Sequence, residues 1–221
     1  MRTQVFQLLG KTFQIKKLDL REYAKIRGNK VTFELERYRA QGLGNIAYVT
    51  ATGFFGLFRM ETLVITPLDR DVPMMIADKV MIMGTNELVI ELYDTLIDKK
   101  LLDSEYIKKM DGHRAAASDL KDNKLAEKEY DNLKLSPSVS KIGIMKKAEL
   151  DSLFRSYMNE FAQMAKEAPE VGNSVEKTVL QEALMNQFIE KGNPFADVFK
   201  RTLDEDKVRL LFSRFIFGIM P

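Results

Sequence analysis

The ten residues MMIADKVMIM at positions 74 to 83 set an acid, Asp78, beside a base, Lys79, among side chains that are otherwise Met, Ile, Val or Ala. In an extended chain successive side chains point to opposite faces. Asp78 therefore shares a side with Ile76 and Val80, and Lys79 shares the other with Ala77 and Met81. The two charges point apart and cannot neutralise each other. Asp78 must find another cation, gather hydrogen bonds, meet trapped water or keep its proton. A carboxyl group that is short of water and has no cation takes a raised pKa, and near neutral pH it can donate a proton. The competing reading is a solvated acid near a strand end, since sheets have edges and buried acids are uncommon.

The surrounding sequence specifies a sheet. In VTFELERY, Val31, Phe33 and Leu35 alternate with Thr32, Glu34 and Glu36, the period of a half-buried strand. QGLGN breaks this run, and IAYVTAT and LFRMETLVIT follow as β-branched and aromatic runs joined through GFFG. PLDRDVP then turns into MMIADKVMIM, and GTN is a tight reversal into ELVIELYD. Strands joined by turns this short form an antiparallel meander, because parallel neighbours need long crossovers. Both sides of MMIADKVMIM are apolar, so helices are expected on both faces. Residues 3 to 27 suggest a helix or two ahead of the sheet. The charge-rich stretch 103–141 reads as exposed helix and loop, a polar surface insertion that acts as a connection or a lid.

The final third is helical. Leu150, Leu153, Phe154, Tyr157, Met158, Phe161, Met164 and Ala165 form one stripe. Asn173 and Glu176 have capping-box spacing before a second apolar face of Val179, Leu180, Ala183, Leu184 and Phe188. Asn193 and Pro194 read as N-cap and first residue of a short helix. TLDE caps a last one, along which Val208, Leu211, Phe212, Phe215 and Ile219 align. The fold class is α+β: one α/β/α sandwich domain over residues 1–221, with a central, mainly antiparallel sheet, helices on both faces and a helical C-terminal third.

Composition narrows the chemistry. With 34 basic against 32 acidic residues there is no field that would gather nucleic acid. No cysteine is present, which removes thiolate nucleophiles, disulfides and Cys-based metal sites. The single histidine, His113, lies in a polar stretch and reads as a solvated surface residue, and one histidine cannot build a multi-histidine metal site. Neither G-x-G-x-x-G nor G-x-x-x-x-G-K-[ST] occurs to cradle phosphate. The N-terminus lacks an apolar secretion segment and no run approaches the length of a membrane span, so a cytoplasmic location with no membrane contact is expected. Lys99, Lys100, Lys108 and Lys109 have acids beside them, and this favours an ordinary solvated face over a site for an acidic partner. The segment LLFSRFIFGIM is interrupted by Arg214 and reads as core or dimer contact.

The stretch ITPLDRDVPMMIADKV resembles the signature of the ferredoxin-dependent bilin reductases, the superfamily that includes phycocyanobilin:ferredoxin oxidoreductase. There a strand ending in proline leads to D-[IV]-P-x-x-x-x-D-x-V, matched here by Pro67, Asp71, Val72, Pro73, Asp78 and Val80. YRAQG at 38–42 and GNPFADVFKRTLDEDKVRLLFSRFIFG at 192–218 are similar to further family segments. The resemblance implies a linear tetrapyrrole, as substrate or ligand, held between sheet and C-terminal helices. It implies no bound flavin, metal or nicotinamide, single electrons arriving from external ferredoxin, and Asp78 as the catalytic proton donor. It also marks substrate-binding positions at which this chain departs from the pattern. Thr62 stands where the family commonly has His or Asn, Val49 or Thr50 stands near a further acid of some members, and Asn193 falls near a polar position of the C-terminal loop, although its N-cap role explains it without any ligand. The chain therefore carries fewer proton donors than the family. A second reading keeps the fold without the chemistry: a structural or protein-interaction domain whose 12 methionines serve as adaptable core filler.

Overall fold

The computed structural model describes residues 1–28 and 30–220. The five alternating or apolar runs form β3 (Val31–Ala40), β4 (Gly44–Gly53), β5 (Phe58–Pro67), β6 (Met74–Ile82) and β7 (Thr85–Tyr93). Each pairs antiparallel with the next. The reversal between β6 and β7 is made by Met83 and Gly84, both with positive φ, while Thr85 and Asn86 already lie in β7. Two such residues are the geometry of a type I′ hairpin turn.

The sheet is wider than the meander. Residues 3 to 27 contain only one α-helix, α1 (Arg2–Leu9), and then two short strands, β1 (Ile15–Leu18) and β2 (Lys25–Arg27), separated by a 3₁₀ turn. Both pair with β3, β1 along its second half and β2 along its first. These strands have no periodicity of their own, and the hydrogen bonds that β3 offers decide their conformation. The stretch 103–141 is likewise not a free surface insertion. It forms α2 (Glu105–Ala116), a two-residue strand β8 (Lys121–Asp122) and the start of β9 (Val139–Ile144), which pairs with β7. Ile107, Met110, Leu120 and Tyr130 anchor it in the core. Single anchors among charges leave no periodic signal, which is why the segment reads as solvated. Among the described residues the sheet order is β1-β3-β4-β5-β6-β7-β9-β8, with β2 beside β3.

Helices cover both faces. One layer is α1 with α3 (Lys147–Glu167), whose stripe from Leu150 to Ala165 packs on Ile46, Tyr48, Leu63, Ile65, Met75 and Ala77. The other is the C-terminal group: α4 (Ser174–Glu190), α5 (Pro194–Lys200) and α6 (Glu205–Leu210), which runs on into a widened π turn over Leu211–Ile216. Leu184, Phe188, Phe199, Phe212, Phe215 and Phe217 pack there on Leu35, Ala47, Val49, Val64, Met74 and Ile76. On α4, Val179 and Ala183 face solvent, and the buried stripe is Lys177, Gln181, Leu184, Met185 and Phe188. His113 lies half-buried on α2 against the Tyr157 ring, with Nε2 3.6 Å from Glu160, and is less solvated than its neighbours suggest. None of the described helices is long and apolar enough to cross a membrane.

Candidate functional site

Burial along β6 changes at one residue. Met74 to Ala77 are buried, Asp78 to Val80 half-buried, and Met81 and Ile82 exposed. On β5 the transition falls at the register partner of Asp78: positions before Thr62 are open or half-open and those from Thr62 onward are buried. The C-terminal helices thus cover the sheet up to the Thr62–Asp78 pair and stop there. Beyond it Phe58, Met60 and Val80, together with Val89 level with Asp78 on β7, all half-buried, form an apolar shelf on the same face.

Among the described residues no cation pairs with Asp78. Thr62, fully buried beneath it, donates its hydroxyl to Asp78 Oδ1 at 2.5 Å. Part of the side chain stays open to the shelf, yet the protein packed around the carboxyl pushes its pKa up to about 7. Desolvation is the main cause, the Thr62 hydrogen bond opposes it, and the charge of Glu91 adds to it. Glu91 occupies the same face of β7, where it accepts from Tyr93 at 2.7 Å and pairs with Lys134 at 2.6 Å. Lys79, as its parity requires, points through the opposite face and pairs with Asp151 of α3. A carboxyl that titrates near neutrality at the edge of a covered apolar face can deliver a proton to a molecule lying on the shelf and regain one from solvent.

The remaining candidates separate. Thr62 joins Asp78. Thr50 does not: it sits on the α1 side of the sheet, opposite Glu61 and Glu34, in a charged bowl of about 550 Å³ lined also by Arg2, Glu36, Tyr48 and Arg59. Val49, next to it, faces the Asp78 side as the partner of Thr62. Asn193 caps α5, its Oδ1 accepting from Phe195 N at 2.9 Å while its Nδ2 donates to Tyr130 at 3.1 Å. With both ends of its amide engaged, it acts as a clamp on the fold.

Two polar groupings escaped the sequence reading. Lys177 is fully buried, with Nζ 2.9 Å from Asp71 Oδ1 and hydrogen bonds to the carbonyls of Val72 and Thr95. Gln181, one turn on, donates to Pro67 O and Thr95 Oγ1, both at 3.2 Å. Both residues continue the stripe of Phe188 and Leu184 at helical spacing, and this was the available signal. Tyr48 donates to Glu61 at 2.5 Å on the bowl side. Its partner strand residues give no hint of that contact.

No protein-family model and no curated protein matches the sequence. Among solved structures, the selenomethionine form of phytochromobilin synthase from tomato, crystallised in complex with biliverdin, matches with a TM-score of 0.76 at 14% sequence identity. The match covers 99% of this chain and 83% of that one. Identity this low carries no residue-level argument, while the coverage spans sheet and helices together. The chain thus shares the fold of a phytochromobilin synthase.

Proposed function

We propose that the chain belongs to the bilin-reductase-like proteins and binds a linear tetrapyrrole, or a similar planar anionic molecule, on the shelf beside Asp78 where the C-terminal helices end. In this reading Asp78 is the proton donor of a ferredoxin-dependent reduction. Two reduced ferredoxins each give one electron, Asp78 gives one proton and solvent at the open edge supplies the second, so that one double bond of the ligand becomes single. The Thr62 hydroxyl engages Oδ1 and leaves Oδ2 to carry the proton toward the ligand. Glu87 and Glu91 are the other charged residues on this face of β7, so the ligand's carboxylates point outward to solvent.

The observation that supports this reading is the place of Asp78: a carboxyl with a pKa of about 7, at the edge of the helix cover, in a fold shared with a protein crystallised with biliverdin. The test is a biliverdin titration followed by visible absorption, then addition of reduced ferredoxin. A spectral shift with bleaching on reduction is expected, and Asp78→Asn should keep the shift while slowing bleaching at least a hundredfold. No shift at saturating biliverdin refutes the reading.

A second reading, a structural or interaction domain of the same fold, draws on the aromatic filling under the helices. Phe199 lies 4.9 Å from Phe33, Phe215 4.8 Å from Tyr23 and Phe188 5.1 Å from Tyr93, ring centre to ring centre. That packing occupies space between sheet and C-terminal helices. No spectral shift at saturating biliverdin would favour it.

A further inference from the structure

Three turns lie side by side at the end of the sheet toward which β6 runs after Asp78. The β4–β5 turn carries Phe54, Phe55, Gly56 and Leu57, the β6–β7 turn Met83 and Gly84, and the β9–α3 turn Ile144 and Met145. They are neighbours by register and hydrogen bonding: Phe58 pairs with Ile82, Met83 N donates to Leu57 O at 3.2 Å, and Thr85 pairs with Ile144. Phe55 is fully exposed, Met83 is 78% exposed and Met145 93%.

The backbone at these tips makes the side chains costlier still. Phe54, Phe55, Met83 and Met145 have φ of 50°, 56°, 48° and 57°, the left-handed region in which Gly or Asn is usual. Four large apolar residues held in that region and presented to solvent at one end of the molecule add nothing to the core, and Gly or Asn would make the same turns at less cost. Such a combination marks a surface with a partner.

Charge identifies the partner. Exposed Lys30 and Arg59 flank the β4–β5 turn, Arg59 in a pair with Glu61 at 3.1 Å, and half-buried Lys146, which donates to Asp119 O at 2.9 Å, and exposed Lys147 follow Met145 directly. Acids are absent from positions 53–60, 81–86 and 144–148. The turns themselves carry aromatic and Met side chains with bases beside them, and acids come only beyond the turns, at Glu61, Glu87 and Glu149. Such tips match an anionic bilayer surface, where they enter the headgroup layer and the bases meet lipid phosphate and carboxylate groups. Narrow turns standing in a row along a sheet end also suit a planar, yielding surface better than the concave pocket a protein partner would have to provide. Against the expectation from the sequence of no membrane contact, we propose that this end of the sheet docks on anionic membranes as a peripheral contact. The proposal is independent of the tetrapyrrole reading.

The experiment is co-sedimentation of the full chain with vesicles of phosphatidylcholine alone and of phosphatidylcholine mixed with phosphatidylserine, at low and high salt. Partitioning is expected on the mixed vesicles only, weakened by salt. The triple variant Phe55→Asn, Met83→Asn, Met145→Asn should lower it at least tenfold. Asn tolerates positive φ, so this variant should melt no lower than the parent, and weaker binding is then not a folding defect. Lys146→Glu with Lys147→Glu should weaken partitioning separately. Absence of sedimentation with anionic vesicles overturns the proposal, as does a triple variant that binds like the parent. Lipid-independent self-association that the triple variant abolishes also overturns it, by assigning the surface to a second copy of the chain.

Discussion

Lys177 on α4 and Asp71 in the turn before β6 meet with Nζ 2.9 Å from Oδ1 in the interior of the protein, although 106 positions separate them in the sequence. Asp71 also accepts from the backbone N–H groups of Ile97 and Asp98 at 2.9 and 2.8 Å. Removing the ammonium leaves a nearly buried carboxylate without its cation, so Lys177→Met is expected to lose about 3–5 kcal/mol in a denaturant melt. Adding Asp71→Asn should return part of the loss. Burial works to raise the Asp71 pKa, but the two N–H groups and Lys177 outweigh it and hold the carboxyl below the usual range. A depressed carboxylate stabilises the fold above its unfolded pKa and ceases to as pH falls through the folded one. Thermal stability should therefore drop below about pH 4, and less so in the double variant.

Asp78 has the opposite sign. Its folded pKa of about 7 lies above that of an unfolded aspartate. Between the two values the native state holds a proton that the unfolded chain has released, so this residue makes stability decline as pH rises from about 4 to 7. Asp78→Asn keeps an acceptor for Thr62 and removes the charge. It should match the parent near pH 4 and exceed it by roughly 1–2 kcal/mol at pH 8, a figure reduced from the full shift because the group is partly open to solvent. Chemical denaturation at the two pH values measures this. A variant less stable than the parent at pH 8 would mean that the carboxylate has a partner other than Thr62.

Thr62→Val removes the hydrogen bond that favours ionised Asp78. The Asp78 titration, followed by carboxyl carbon chemical shift, should move above its parent midpoint. The loss of stability should be larger at pH 8, where a charged acceptor goes unmet, than at pH 5, on the order of 1–3 kcal/mol.

Gly218 has φ of 67°, and a Cβ added there would lie 2.4 Å from the Asn45 side chain. Asn45 donates to Ile216 O at 2.8 Å and accepts from Arg37 Nε at 2.7 Å, tying the π turn to β4. Gly218→Ala should both strain the backbone and open this tie, costing about 2 kcal/mol or more in thermal unfolding. Gly112→Ala, at a helical position with open space around it, should cost nothing and serves as the control.

Much of the fold was legible because it rests on local periodicity. Val31, Phe33 and Leu35 had to share a face, Leu150 to Ala165 had to be a buried stripe, and parity alone separated Asp78 from Lys79. Illegible were the elements that borrow their order from elsewhere: β1, β2 and β9 exist because β3 and β7 offer them hydrogen bonds, and 103–141 is ordered by isolated anchors. The site divides the same way. That Asp78 and Thr62 face each other follows from a register fixed by two strands and the turn between Pro67 and Met74, whereas the separation of Thr50 from them follows from which face of β4 each residue takes.

The amino-acid order by itself determined the meander, the apolar face of α3 and the side of β6 to which Asp78 points, because a period of two or of 3.6 converts spacing directly into direction. Only tertiary structure decided how far along β6 the C-terminal helices reach, that Lys177 is drawn inside to Asp71, and that three turns distant in sequence form one exposed apolar edge. Burial, desolvation and the pKa that follows depend on atoms brought in from remote segments, and no local pattern encodes where those segments stop.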